Sequence, residues 1–62
     1  MRLFLDGRKK RVSHRGTIAG LLKKLKVRRE EVVVKRNGRL APETAEVRAG
    51  DRVEVIKVVF GG

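Results

Sequence analysis

Sixty-two residues suffice for one small domain, which buries only about 60% of the surface its unfolded chain exposes and has little room for a catalytic cleft. The chain holds no cysteine, which excludes disulfides and thiolate metal sites and makes a cytoplasmic setting the expectation. Its formal charge is +10, from 17 Lys and Arg against 7 Asp and Glu, and no apolar run approaches the length of a membrane span.

The charge is unevenly placed. Residues 1–39 carry fourteen basic and three acidic side chains, a net of +11, whereas residues 40–62 carry three and four, a net of −1. A basic front half suits an acidic partner surface or a polyanion such as RNA, against the plainer reading of a solvated face. The absence of Gln and the single Asn give the composition of a heat-adapted source. In MRLFLDGRKKRV the charges follow a very short apolar run, the reverse of a secretory signal, so the mature protein is expected to be the whole chain.

The first predicted element is a strand over MRLFL, with Met1, Leu3 and Leu5 on one face. Asp6-Gly7 is a hairpin signal, because Gly supplies the positive φ that tight turns need. A second strand is expected to return antiparallel from Arg8 to His14, and its lysines suit a sheet edge. Thr17 then caps a helix whose Ile18, Leu21, Leu22 and Leu25 fall at i, i+3, i+4 and i+7, a single core stripe. Lys23, Lys24 and Lys26 lie off that stripe. Gly20 lowers the intrinsic helix stability by about 1 kcal/mol relative to Ala, so packing must hold the helix.

VVVK reads as a short buried strand, and Asn37-Gly38 as a tight turn into a brief return strand at Leu40 and Ala41, which Pro42 stops. Residues 43–49 read as a connection that anchors Val47 in the core. Gly50-Asp51 turns the chain into a last strand over 52–60. The order strand, strand, helix, strand, short strand, strand predicts an α+β domain with one mixed sheet of four to five strands and the helix across one face. That is the β-grasp, or ubiquitin-like, architecture, expected over residues 1–60.

Parity makes the last strand informative. Val53, Val55, Lys57 and Val59 share the face toward the helix, while Arg52, Glu54, Ile56, Val58 and Phe60 share the other. Ile56, Val58 and Phe60 are thereby expected to form an exposed apolar patch, which marks an interaction site, unless a bulge switches the parity. Gly61-Gly62 packs nothing, but it makes a thin tail that can enter a narrow tunnel with its carboxylate leading.

NGRL at 37–40, followed by GDRVEVIKVVFGG at 50–62, resembles the ThiS/MoaD-type sulfur carriers and their ubiquitin-related archaeal modifier relatives. The resemblance spans essentially the full chain, and its most specific part is Gly50-Asp51, a valine-rich strand and Gly61-Gly62 together. It implies that the chain is a carried substrate and not an enzyme. In that family a partner resembling the ubiquitin-activating adenylyltransferases uses ATP and Mg²⁺ to convert the terminal carboxylate into an acyl adenylate. A sulfur donor such as a persulfide then yields a thiocarboxylate, here on Gly62. The sulfur passes to an acceptor, whether a thiazole precursor, a molybdopterin precursor or a tRNA uridine, and some relatives are instead joined to protein lysines. Gly61 supplies reach, and Phe60 departs from the small or aliphatic residue more common before the glycines. Ile56 and Val58 become candidates for docking the activator. Asn37, Gly38, Gly50 and Asp51 match the family pattern as turn residues.

His14 is the single histidine and reads as a surface residue on an edge strand, so no metal site is expected. Ser13, Thr17 and Thr44 are the only hydroxyls and none has a base at nucleophile spacing. Arg8, Lys9, Lys10, Arg11, Lys23 and Lys24 are candidates for polyanion contact. They support a rival reading as an RNA-binding module of TGS or S4-like type, although two Phe and no Tyr or Trp leave few platforms for base stacking.

Overall fold

The structure, a computed structural model, describes residues 1–58. Seven strands and one α-helix follow in the order β1 (Arg2–Leu5), β2 (Arg8–Lys10), β3 (Gly16–Thr17), α1 (Ile18–Leu25), β4 (Val32–Arg36), β5 (Arg39–Leu40), β6 (Glu46–Val47) and β7 (Arg52–Lys57), with a 3₁₀ turn at Arg29–Glu31. The main sheet has five strands in the order β2-β1-β7-β4-β5, and β3 pairs with β6 in a separate two-stranded ribbon. β7 is central, parallel to β1 and antiparallel to β4. This is the β-grasp arrangement that the element order predicts.

Two tight turns set the register of the sheet. Asp6 and Gly7 adopt φ of 50° and 81°, and Asn37 and Gly38 adopt 53° and 83°. Positive φ at both central residues is the turn whose twist matches an antiparallel pair, and Asp-Gly and Asn-Gly are the sequences that tolerate it.

The helix starts where Thr17 Oγ1 accepts from Gly20 N at 3.2 Å, and it ends at Lys26 in the left-handed conformation, with Lys23 and Lys24 in its last turn. Its stripe packs on the sheet as the periodicity predicts. Leu3, Ile18, Leu21, Val53 and Val55 are fully buried, and Leu22, Val34 and Val47 nearly so. Each such side chain contributes about 1.5–3 kcal/mol, so eight of them supply most of what a chain this short can bury. No helix among the described residues is long and apolar enough to cross a membrane.

Several local expectations are corrected. β2 ends at Lys10 and does not continue to His14. After Lys10 the chain leaves the sheet to reach the helix: Val12 packs on the core, and the Ser13 carbonyl accepts from Lys24 Nζ at 2.6 Å. His14 lies on no strand. It is half-buried, with Nε2 2.9 Å from the Thr17 carbonyl and its ring over Gly20. β4 is buried on one face only, since Val34 faces the helix while Val33 is exposed. Residues 43–49 contain β6, whose pairing with β3 places Val47 in the core as expected. Val59, Phe60, Gly61 and Gly62 lie outside the described residues.

Candidate functional site

The candidate site is the outer face of the sheet at the end of β7, from which the C-terminal residues follow. The register along β7 is continuous against both neighbours, with Leu3 opposite Val53 and Leu5 opposite Val55 on one side, and Val34 opposite Val55 and Val33 opposite Ile56 on the other. No bulge interrupts it between Arg52 and Lys57, so parity holds. Val53 and Val55 face the helix, and Ile56 faces outward. Lys57, on the inner parity, is exposed.

The end of β7 is held from two directions. Asp6 Oδ1 accepts from Lys57 N at 2.8 Å, and Asp6 N donates to the Val55 carbonyl at 2.9 Å. From the other flank Val58 N donates to the Glu31 carbonyl at 2.8 Å. The turn after β1 and the 3₁₀ turn before β4 therefore hold Lys57 and Val58, the last two described residues.

Near the end of β7 the outer face carries exposed apolar side chains. Ile56 is 37% exposed beside Val33 at 36%, and Leu40 on the same face is 71% exposed. Farther along, the Arg52 guanidinium stands 4.6 Å above the Phe4 ring while its Nε lies 3.5 Å from Glu54. Of the predicted docking residues, Ile56 is therefore exposed and Val58 is half-buried with its amide engaged. Phe60, Gly61 and Gly62 lie outside the described residues.

Val33 and Leu40 join this face although VVVK reads as wholly buried. The signal was available, because once Asn37-Gly38 sets the β4–β5 hairpin and Val34 is inward, Val33 must point out. Phe4 and Arg52 were likewise legible only through the β1–β7 pairing, which sequence alone does not register.

The second turn pair is a small polar lock. Asn37 Nδ2 donates to Asp51 Oδ1 at 3.1 Å, Asn37 Oδ1 accepts from Arg52 N at 2.9 Å, and Asp51 Oδ2 accepts from Arg48 N at 2.8 Å. The Arg48 amide and the Asn37 side chain hold the Asp51 carboxyl below its ordinary range. Asn37 and Asp51 tie the β4–β5 turn to the start of β7, a structural role consistent with reading them as turn residues.

The basic candidates separate into two groups. Lys9, Lys10 and Arg11 border one concavity together with Arg2, and Lys24 reaches that side through the Ser13 carbonyl. Arg8 is exposed on the same edge strand. Lys23 lines a different depression, with Arg29, Glu30 and Glu43. Among the described residues no three His, Cys, Asp or Glu side chains gather as a metal site.

One helix across a five-stranded mixed sheet, with the C-terminal strand at its centre, defines a ubiquitin-like β-grasp protein. The sequence model of the ThiS family matches residues 3–62, and the chain belongs to that family. Among solved structures it is similar to the crystal structure of the thiamine biosynthesis protein ThiS from Geobacter metallireducens, with 30% identity, a TM-score of 0.69 and full coverage of both chains. It is also similar to the solution structure of a thiamine biosynthesis protein from Geobacter metallireducens, with 32% identity, a TM-score of 0.66, and coverage of 100% of this chain and 88% of that one. No curated protein matches. Of the wider resemblance to ThiS, MoaD and the archaeal modifiers, ThiS is the part these matches carry.

Proposed function

We propose that the chain is a sulfur carrier in thiamine biosynthesis, itself a carried substrate and not a catalyst. The observation that carries this reading is the ThiS family match, which runs from Leu3 through Gly62 and so takes in the Gly61-Gly62 pair. The clamp on β7 by Asp6 and Glu31 supports it physically. A carrier must deliver its terminus to a partner's active site, and holding Lys57 and Val58 in place leaves less ordering entropy to be lost on binding.

In this reading Gly62 bears the reactive carboxylate. A carboxylate resists nucleophilic attack because it offers no good leaving group, and adenylation by an ATP- and Mg²⁺-using partner supplies one. The terminal sulfur of a persulfide donor then displaces AMP to give an acyl disulfide. A thiol cleaves the S–S bond of that intermediate, forming a disulfide with the donor sulfur and leaving a thiocarboxylate on Gly62 for transfer. Gly61 and Gly62 give the tail the slimness a partner's tunnel requires. Ile56, with Val33 beside it, offers the apolar surface on which the activating enzyme docks. The molybdopterin, tRNA and lysine-conjugation outcomes share the tail chemistry, and the family match favours the thiazole acceptor over them.

The test is ATP–pyrophosphate exchange by the chain's own activating enzyme. Exchange that depends on the full chain, and that ceases when Gly61-Gly62 are removed, is the expected result. Exchange that proceeds equally with the shortened chain would overturn the assignment of Gly62.

A further inference from the structure

From Gly7 to Arg29 the chain runs 23 residues without an acidic side chain and with ten Lys or Arg. The fold gathers much of this charge along one edge of the sheet. β2 is the outermost strand, and Arg8, Lys9 and Lys10 are all exposed. Lys9 lies opposite Phe4 on the outer face, whereas Arg8 and Lys10 lie opposite Leu5 and Leu3 on the helix side, so cations flank the edge on both sides. Arg2, Lys9, Lys10 and Arg11 border a shallow concavity of about 380 Å³ with no acid in its wall.

Six of the seven acids are engaged elsewhere, and the seventh, Glu46, is exposed on β6 in the separate ribbon. Glu30, Glu31 and Glu43 pair with Arg28 and Arg29, Glu54 pairs with Arg52, and Asp6 and Asp51 accept from backbone amides. Among the described residues, none of Arg2, Arg8, Lys9, Lys10 or Arg11 has a carboxylate partner.

We propose that the β2 edge docks the phosphodiester backbone of a nucleic acid, recognised by charge and not by base. This does not rest on the carrier reading. Two observations favour nucleic acid over an acidic protein. Protein interfaces are built around buried apolar or aromatic anchors, and residues 8–11 present none, whereas phosphate contacts need only cations and hydrogen-bond donors. The charge also lies on both faces of the edge strand, which suits a flexible charged strand better than a flat complementary surface. Phe4, the neighbouring aromatic, already carries the Arg52 guanidinium over its ring, so stacking a base there would have to displace that contact.

The experiment is titration of the full chain into a labelled oligouridylate across a range of salt concentrations. Two fourfold alanine variants are compared with the unaltered chain. One removes Arg8, Lys9, Lys10 and Arg11; the other removes the same charge elsewhere, at Lys23, Lys35, Arg39 and Arg48. All are exposed except Lys35, which is half-buried, and a circular dichroism melt verifies the fold of each variant. The unaltered chain should bind with a log–log salt slope that the edge variant flattens by about 3, while the control variant changes it by less than about 1. Oligouridylate and oligoadenylate should bind within about threefold of one another. Equal losses in the two variants would overturn the proposal in favour of net charge alone. So would equally tight binding of polyglutamate, which would assign the edge to acidic proteins, or no binding to the oligonucleotide at low salt. Loss of nucleic-acid binding in the edge variant with ATP–pyrophosphate exchange retained would separate this surface from the carrier chemistry.

Discussion

Asp6 and Lys57 are 51 residues apart in sequence, and the Asp6 carboxylate accepts the Lys57 amide at 2.8 Å. Asp6 does two jobs here. It occupies a turn position at φ 50°, which Asp and Asn tolerate better than other residues, and it holds the end of β7. Asp6→Ala is expected to cost about 1–2 kcal/mol and to raise the hydrogen-exchange rate of the Lys57 amide, measured by denaturant melts and by NMR. Asp6→Asn keeps an acceptor oxygen and the turn preference, and should lose less than about half of that.

Residues on the two faces of the sheet should separate stability from partner binding. Leu21 is fully buried, and Leu21→Ala is expected to cost about 2–5 kcal/mol, a large fraction of what so small a domain has. Ile56 is 37% exposed on the outer face. Ile56→Ser and Val33→Ser should each change stability by less than about 1 kcal/mol yet weaken binding of the activating enzyme at least about tenfold. Calorimetric melts and a binding titration read the two effects independently.

Gly20 interrupts a helix for a reason that only the structure supplies. A Cβ there would stand 3.3 Å from His14 Cε1 and 3.6 Å from its Nε2. Gly20→Ala gains about 1 kcal/mol in helix propensity but must displace the ring. In the unaltered chain the substitution should yield less than that gain or none. In a His14→Ala background it should yield the full amount, so the double-mutant cycle is expected to show a coupling of about 0.5–1 kcal/mol.

Asp51 gives the lock between the two turns a pH dependence. Its folded pKa lies below its ordinary value because the Arg48 amide and the Asn37 side chain stabilise the carboxylate. Its contribution is therefore fully present above the unfolded value of about 3.9 and is lost as pH falls through that value toward the lower folded one. Asp51→Asn should flatten the stability profile in this acid window and leave the slope near neutrality unchanged, as urea melts at a series of pH values would read.

Much of the fold was legible because local signals and periodicity agreed. Asp6-Gly7 and Asn37-Gly38 marked turns that proved to need positive φ, and the spacing of Ile18, Leu21 and Leu22 marked the core face of the helix. Parity alone placed Val53 and Val55 inside and Ile56 outside. What sequence did not carry was pairing between distant segments. The β3–β6 ribbon rests on two residues in each strand, too few to leave a periodic pattern. The early end of β2 depends on Ser13 and His14 meeting α1, and the contact of Asp6 with Lys57 depends on parallel pairing across the whole chain. The separation of Lys23 from Lys9 and Lys10 has the same origin, since they come together or apart only through packing.

The most direct test of the carrier account is the intact mass of the chain after incubation with ATP, Mg²⁺, a persulfide donor, a thiol and its own activating enzyme. The account predicts a gain equal to one oxygen replaced by one sulfur, located by fragmentation at Gly62 and absent from a chain lacking Gly61-Gly62. An unchanged mass, with an enzyme shown to be active on another carrier, would contradict it.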